Sequence, residues 1–219
     1  MIDPSFSIML SLLVASLATL IAAVFGATIG YFFARSKFRG KNLLNALCML
    51  PFFLPPTVVG FILLEILGRE GLLGAWLFKT FHYSPVFTWQ ACVIAAFVIS
   101  LPMMISTSRA AFESVDQNLE KVSYTLGRSS KDTFQKVTLP LAARGLLAGC
   151  ILTFARAIGE FGATLMLAGN IPGQTQTMPL AIYEAAQSNH EELALGLVVA
   201  FSIMSVTILY LTYKLGQKW

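Results

Sequence analysis

From Pro4 to Ala34 the chain carries no charged residue, and the stretch from Ser7 to Ala34 is long and apolar enough to cross a bilayer as one tilted helix. A cleaved secretory leader opens with a basic segment and has a much shorter apolar core. This sequence starts Met1-Ile2-Asp3-Pro4, so the segment reads as a retained helix. The remaining sequence is of the same character: 56% of the 219 residues are hydrophobic and only 12% are charged, with a mean hydropathy of +0.72. Soluble domains carry about 25% charged residues. A soluble enzyme, a disulfide-rich secreted scaffold and a disordered tail are therefore excluded for the chain as a whole. What remains is an all-α integral membrane protein, a single transmembrane domain over residues 1–219, with room for about five spans of roughly 20 residues each.

The five spans are expected at about 7–34, 42–67, 89–107, 144–168 and 193–213. Gly26-Ala27-Thr28-Ile29-Gly30 in the first and Gly145-Leu146-Leu147-Ala148-Gly149 in the fourth are small-residue faces on which a neighbouring helix can pack closely. Arg35, Lys37, Arg39 and Lys41 follow the first span at once and mark the cytoplasmic side. As a nucleic-acid patch they lack supporting aromatics, and no nucleic-acid partner is expected. Every one of the fifteen Lys and Arg except Arg69, Lys79 and Arg156 falls on that same side, Lys214 and Lys218 included. The predicted topology is N-terminus outside and C-terminus cytoplasmic. Between the second and third spans, residues 72–78 (Leu72 to Phe78) are too short to cross and read as an interfacial helix.

Three places interrupt this regularity. Pro51, Pro55 and Pro56 lie within the second span, and Leu54-Pro55-Pro56-Thr57-Val58-Val59-Gly60 reads as a broken, interior-facing segment. Such a break is either a structural kink or the lining of a path. Residues 109–140 are the longest polar stretch, with Val115, Leu119, Val122 and Leu126 at helical spacing around it. A helical loop with an apolar stripe and no core of its own closes over its own bundle or docks on a partner protein. Arg156 and Glu160 lie near the middle of the fourth span, four residues apart and so on one helical face. Each charge costs roughly 2.5–3.5 kcal/mol at mid-bilayer, so they pair or face water.

No catalytic residue is assigned. The sequence has no GxxxxGK[ST] loop to cradle ATP phosphates, so no cofactor is expected on this chain. His190-Glu191-Glu192-Leu193-Ala194 lacks the second histidine of a zinc-protease motif, and no metal ligand set is assigned. Cys48, Cys92 and Cys150 are odd in number, sit in apolar runs, and read as small buried hydrophobes. No pair of carboxylates recurs within the spans, which speaks against a proton relay. A freestanding secondary carrier or membrane enzyme stays as the alternative of a different class, and it would leave the apolar stripe around Val122 without a partner.

Glu120-Lys121-Val122-Ser123-Tyr124-Thr125-Leu126-Gly127, nine further residues, then Val137-Thr138-Leu139-Pro140 resembles the EAA loop of bacterial ABC-importer permeases. The spacing from Gly127 to Leu139-Pro140 matches without a gap, while Lys121-Val122-Ser123 stands where that family has Glu-Ala-Ala. The resemblance implies the type I importer permease fold, with Glu120, Lys121, Val122, Ser123, Leu126, Gly127, Leu139 and Pro140 coupling the subunit to an ATPase. In this reading Gly127 turns the chain between two short helices and Leu139-Pro140 stops the second before the membrane. Three segments, residues 54–60, 155–164 and 169–179, look like those of the molybdate permeases and their sulfate and tungstate relatives. The implied machine is a homodimer of this subunit in the inner membrane, two cytoplasmic ATPase subunits that bind ATP and Mg, and an extracytoplasmic molybdate-binding protein. The same machine for tungstate or for sulfate and thiosulfate is the nearest alternative. Some members of that family carry a regulatory domain after the last span; with Trp219 ending the sequence, none is expected here.

For the path itself the candidates are Pro55, Pro56, Thr57, Arg156, Glu160, Thr164 and Asn170. Arg156 and Glu160 either form a buried ion pair that fixes packing, or Arg156 offers positive potential to a dianion. Hydroxyls and amides such as Thr57, Thr164 and Asn170 are suited to weak hydrogen bonds, which a path that must release its ion requires.

Overall fold

The computed structural model describes residues 3–217; Met1, Ile2, Lys218 and Trp219 lie outside them. Helix α1, Pro4–Arg35, begins where Asp3 accepts the backbone N–H of Ser5 and Phe6 at 3.0 and 3.2 Å, with Pro4 in the first turn. The Ser5 hydroxyl, then the Phe6 amide, hold the exposed Asp3 carboxyl below its usual range. The helix ends as the chain turns extended at Ser36.

Helices α2, Lys41–Phe53, and α3, Pro56–Leu67, meet at an angle of 107°. The stretch 42–67, expected as one interrupted span, is two helices. Pro55 and Pro56 bring no N–H to the ladder and push Leu54 and Pro55 into extended backbone, which separates the halves. Helix α4, Leu72–Phe81, has 10 residues and is too short to cross. Thr88 caps α5, Trp89–Glu113, which outruns its expected end at residue 107 by a turn and a half.

The polar stretch then folds as α6, Gln117–Thr125, and α7, Ser130–Thr133. From Ser130 the chain runs on through a π-helical turn, Phe134–Thr138, into α8, Leu139–Ile158, as one 29-residue helix. Pro140 therefore does not stop a helix before the membrane. In the wide turn the Leu139 N–H bonds the carbonyl of Phe134, five residues back, which makes room for the proline ring and absorbs its missing donor. Past Gly159 come α9, Gly162–Ala168, then α10, Met178–Gln187, and α11, Glu191–Gln217.

Among the described residues four helices are long and apolar enough to span a membrane: Pro4–Arg35, Trp89–Glu113, Ser130–Ile158 and Glu191–Tyr210. The bent pair α2–α3 makes up to five. Helix α5 is the central post and is largely buried, whereas Glu191–Tyr210 of α11 is almost without buried residues. Close approach of α1 to α5 depends on small residues: a Cβ at Gly26 would lie 2.7 Å from Met104 Cγ, and one at Gly30 2.9 Å from the Arg109 backbone N. This is the small-residue face at work, with Ala15, Ala18 and Ala22 fully buried along the same helix. Leu195, Val199, Ile203 and Val206 leave α11 largely bare, a surface that only lipid or another protein can cover without cost.

Candidate functional site

Two interrupted helices meet in this fold, and their breaks lie together. The first break is Leu54–Pro55; the second is 159–161, between α8 and α9. At the crossing of α3 and α9 a Cβ on Gly60 would sit 2.7 Å from Ala163 Cα and 2.8 Å from Met166 Cβ. A Cβ on Gly162 would sit 3.1 Å from Pro56 Cβ and 3.2 Å from Thr57. The two backbones touch because neither glycine carries a side chain.

The charged pair holds the second break. Helix α8 ends at Ile158, so Glu160 is not on the same helix as Arg156; the pair spans the break. The expectation of one shared helical face is corrected accordingly. One Glu160 oxygen, Oε2, lies 2.9 Å from Arg156 Nη1. The other, Oε1, accepts the backbone N–H of Ala163 at 2.8 Å in the first turn of α9. Glu160 is buried, whereas the Arg156 side chain is 28% exposed, so the arginine is the member of the pair open to the outside of this subunit. Removing one partner of a buried pair costs about 3–5 kcal/mol. Glu160→Ala is expected to destabilise the purified subunit by about 3 kcal/mol, read as a fall in its thermal unfolding midpoint, and an unchanged midpoint would refute this account of the break.

Of the other path candidates, Pro56 and Thr57 lie against Gly162 at the crossing, and Asn170 stands apart from it. Pro55 and Thr57 are exposed at the start of α3, Pro56 is half-buried, and Thr164 is buried in α9. Asn170 stands beyond α9 with its amide engaged at both ends: Nδ2 donates to Glu184 Oε2 at 2.6 Å and Oδ1 accepts from Gln176 Nε2 at 3.0 Å. Glu184 and Gln176 were not singled out from sequence. Nothing local signals their pairing, since Glu184 lies fourteen residues from Asn170. Gly60 and Gly162 were visible only as letters in a motif.

A second cluster lies in the polar loop. Val115 is buried with Ala111, Phe112 and Ala142, in the turn before α6. It does not share the stripe predicted for 115, 119, 122 and 126. Leu119, Val122 and Leu126 are 47%, 55% and 73% exposed. Lys121 is exposed beside them, while Ser123 is buried with its hydroxyl 2.9 Å from Thr133 Oγ1. Gly127, at φ 77°, closes α6: its N–H bonds the Tyr124 carbonyl and the Arg128 N–H bonds the Ser123 carbonyl. This pair of bonds with a left-handed glycine is a Schellman cap, which a Cβ would strain. Tyr31 packs edge-on against Phe112 and Phe134 at 5.1 and 5.0 Å and roots the loop on α1. Leu139 and Pro140 are exposed at the foot of α8. Among the described residues no three His, Cys, Asp or Glu side chains converge on a metal-sized site.

Residues 24–218 match the model of the family described as "Binding-protein-dependent transport system inner membrane component". The chain is 43% identical over 187 residues to the "Molybdenum transport system permease protein ModB" of Escherichia coli, covering 85% of this chain and 82% of that one. It is 38% identical over 213 residues to the protein of the same name from Haemophilus influenzae, covering 97% and 93%. Among solved structures, a bacterial ABC transporter involved in the import of the acidic polysaccharide alginate superposes with a TM-score of 0.79 at 12% identity, covering 97% of this chain and 78% of that one. At that identity the likeness is one of fold alone.

Proposed function

Because this chain belongs to the binding-protein-dependent transport system inner membrane components, a family of multi-pass transport subunits and not of enzymes, we propose that it carries molybdate inward across the cytoplasmic membrane. The observation that supports the ion is the likeness, along nearly the whole chain, to two molybdenum permeases. In this reading the subunit works as a homodimer, receives the anion from an extracytoplasmic binding protein, and is driven by two cytoplasmic ATPase subunits that hold ATP and Mg. Its N-terminus lies outside and its C-terminus inside. This chain brings no cofactor of its own.

The polar loop is the ATPase-facing end. Leu119, Val122 and Leu126 form an apolar surface too exposed to serve the fold, and Lys121 borders it. Glu120, Ser123 and the Gly127 cap hold that surface in shape; Leu139 and Pro140 stand where the loop enters the long helix. Ser130–Ile158 is unbroken, so a displacement of the loop travels along it as a rigid rod to the break at Glu160. There the rod meets α3 through α9, and the path opens or closes as these crossed backbones shift. Pro55, Pro56 and Thr57 line one side of that crossing and Arg156, Glu160 and Thr164 the other. The exposed edge of Arg156 supplies positive potential, and its ion pair with Glu160 keeps that potential weak enough for release. Asn170, bonded to Glu184 and Gln176, braces the loop after α9.

The test is uptake of labelled molybdate into vesicles carrying this subunit, its ATPase and its binding protein, with sulfate and tungstate as competitors. ATP-dependent uptake that withstands excess sulfate is expected. Strong competition by sulfate keeps the machine and changes the ion, and uptake without the ATPase makes the chain a freestanding carrier. Molybdate, tungstate and sulfate are tetrahedral dianions of similar hydrogen-bonding character, so the choice among them is made mainly by the binding protein.

A further inference from the structure

Glu120 is half-buried on α6, and one of its oxygens serves two partners from outside that helix. Oε1 accepts Arg35 Nη2 at 2.6 Å and Thr138 Oγ1 at 2.8 Å. Arg35 is the last residue of α1, and Thr138 closes the π-helical turn at the root of α8. A single carboxylate oxygen thus joins the loop helix, the first span and the long rod. The pair is enclosed, with the two side chains 15% and 13% exposed. Arg35 Nε and Nη1 are buried without a hydrogen-bond partner. A guanidinium with two idle buried donors contributes little to stability, since replacing such buried pairs by apolar groups is commonly neutral or stabilising. Its effect is directional: α6 cannot move along its axis without drawing α1 with it.

Resting on the importer reading, we propose that Arg35 and Glu120 form a coupling clamp, positioning residues that make the first span move as one body with the loop and the long helix. Without the clamp α1 is joined to the loop only through the Tyr31 ring contacts and its apolar packing on α5 and α8, and it lags behind a displacement of α6. ATP hydrolysis then continues while the path fails to complete its cycle. The pair differs from the apolar surface of α6 in its role: it faces inward, to the subunit's own spans.

The experiment measures ATP hydrolysed and oxyanion imported in the same vesicles holding the complete transporter. Arg35→Gln is expected to assemble and to hydrolyse ATP within about twofold of the parent, yet to import at least tenfold less, so that ATP consumed per ion rises about tenfold. Arg35→Lys, which keeps the charge, and the exchanged pair R35E/E120R are expected to recover most of the coupling. A purely structural role would lower hydrolysis and uptake together, in step with the amount assembled, and that result overturns the clamp. So does failure of Arg35→Gln to assemble without repair by the exchanged pair, or an unchanged ATP-to-ion ratio. Absence of uptake by the parent transporter is a separate outcome: it overturns the importer reading and the clamp with it.

Discussion

Gly60→Leu is expected to cut uptake at least tenfold while leaving the subunit in the membrane. The position has no spare volume: a Cβ there would meet Ala163 Cα at 2.7 Å, Met166 Cβ at 2.8 Å and the Ala163 carbonyl at 2.9 Å. Two of these three are backbone atoms, which cannot rotate away, so α3 and α9 must separate. Overpacking of this kind costs about 1–3 kcal/mol, within what a helical bundle of this size survives. The separation falls at the crossing of the two broken helices, where the path is proposed to open. Uptake is expected to fall at least tenfold, with Gly60→Ala intermediate. Gly196 is the control, because a Cβ there meets nothing within 4 Å; Gly196→Ala should transport within about twofold of the parent and slightly strengthen its helix. Normal uptake by Gly60→Leu would mean the crossing is not the moving part.

The same crossing shows how far the sequence reaches. Apolar runs without charge announce the long helices, because the bilayer leaves the chain no other regular structure. The break at Leu54–Pro55 is equally legible, since two successive prolines forbid the helix and no tertiary contact can restore the missing donors. The break at 159–161 is not. No proline stands there, and Arg156 and Glu160 at four-residue spacing read as a continuous helical face. At the end of α8 local and tertiary contacts combine: Glu160 gives one oxygen to Arg156 and the other to the first turn of α9, while Gly162 lets α9 lie on Thr57.

Pro140 teaches the converse. The local rule ends a helix at a proline, but a π-helical turn just before it removes the clash, and such a turn has no signature in a single sequence. The Arg35–Glu120 pair is hidden for a simpler reason, eighty-five residues of separation. Glu120 was legible as a member of a loop motif, but its partner was legible only as one cation of four. Val115 shows the limit of periodicity: it keeps helical spacing with Leu119 yet precedes α6 and turns into the core.

That separation of Val115 from its neighbours sets up the second large effect. Val122→Glu with Leu126→Glu should release the ATPase subunits from the membrane subunit and abolish ATP-dependent uptake. Both residues are more than half exposed and belong to none of the buried apolar clusters, so replacing them changes stability by no more than about 0.5 kcal/mol. An apolar anchor seated in a partner's pocket is worth about 2 kcal/mol or more, roughly thirtyfold in affinity for each. A buried carboxylate facing that pocket adds its own desolvation penalty. Co-purification of the ATPase with the tagged subunit reads the loss directly, and the unfolding midpoint of the subunit alone should stay where it was. Val115→Asp gives the opposite pattern, because its side chain is 5% exposed among Ala111, Phe112 and Ala142: the subunit itself unfolds, and the ATPase is lost with it. If the double glutamate variant still co-purifies with its ATPase, the exposed face of α6 is not the seat of coupling, and the long helix is driven from some other contact.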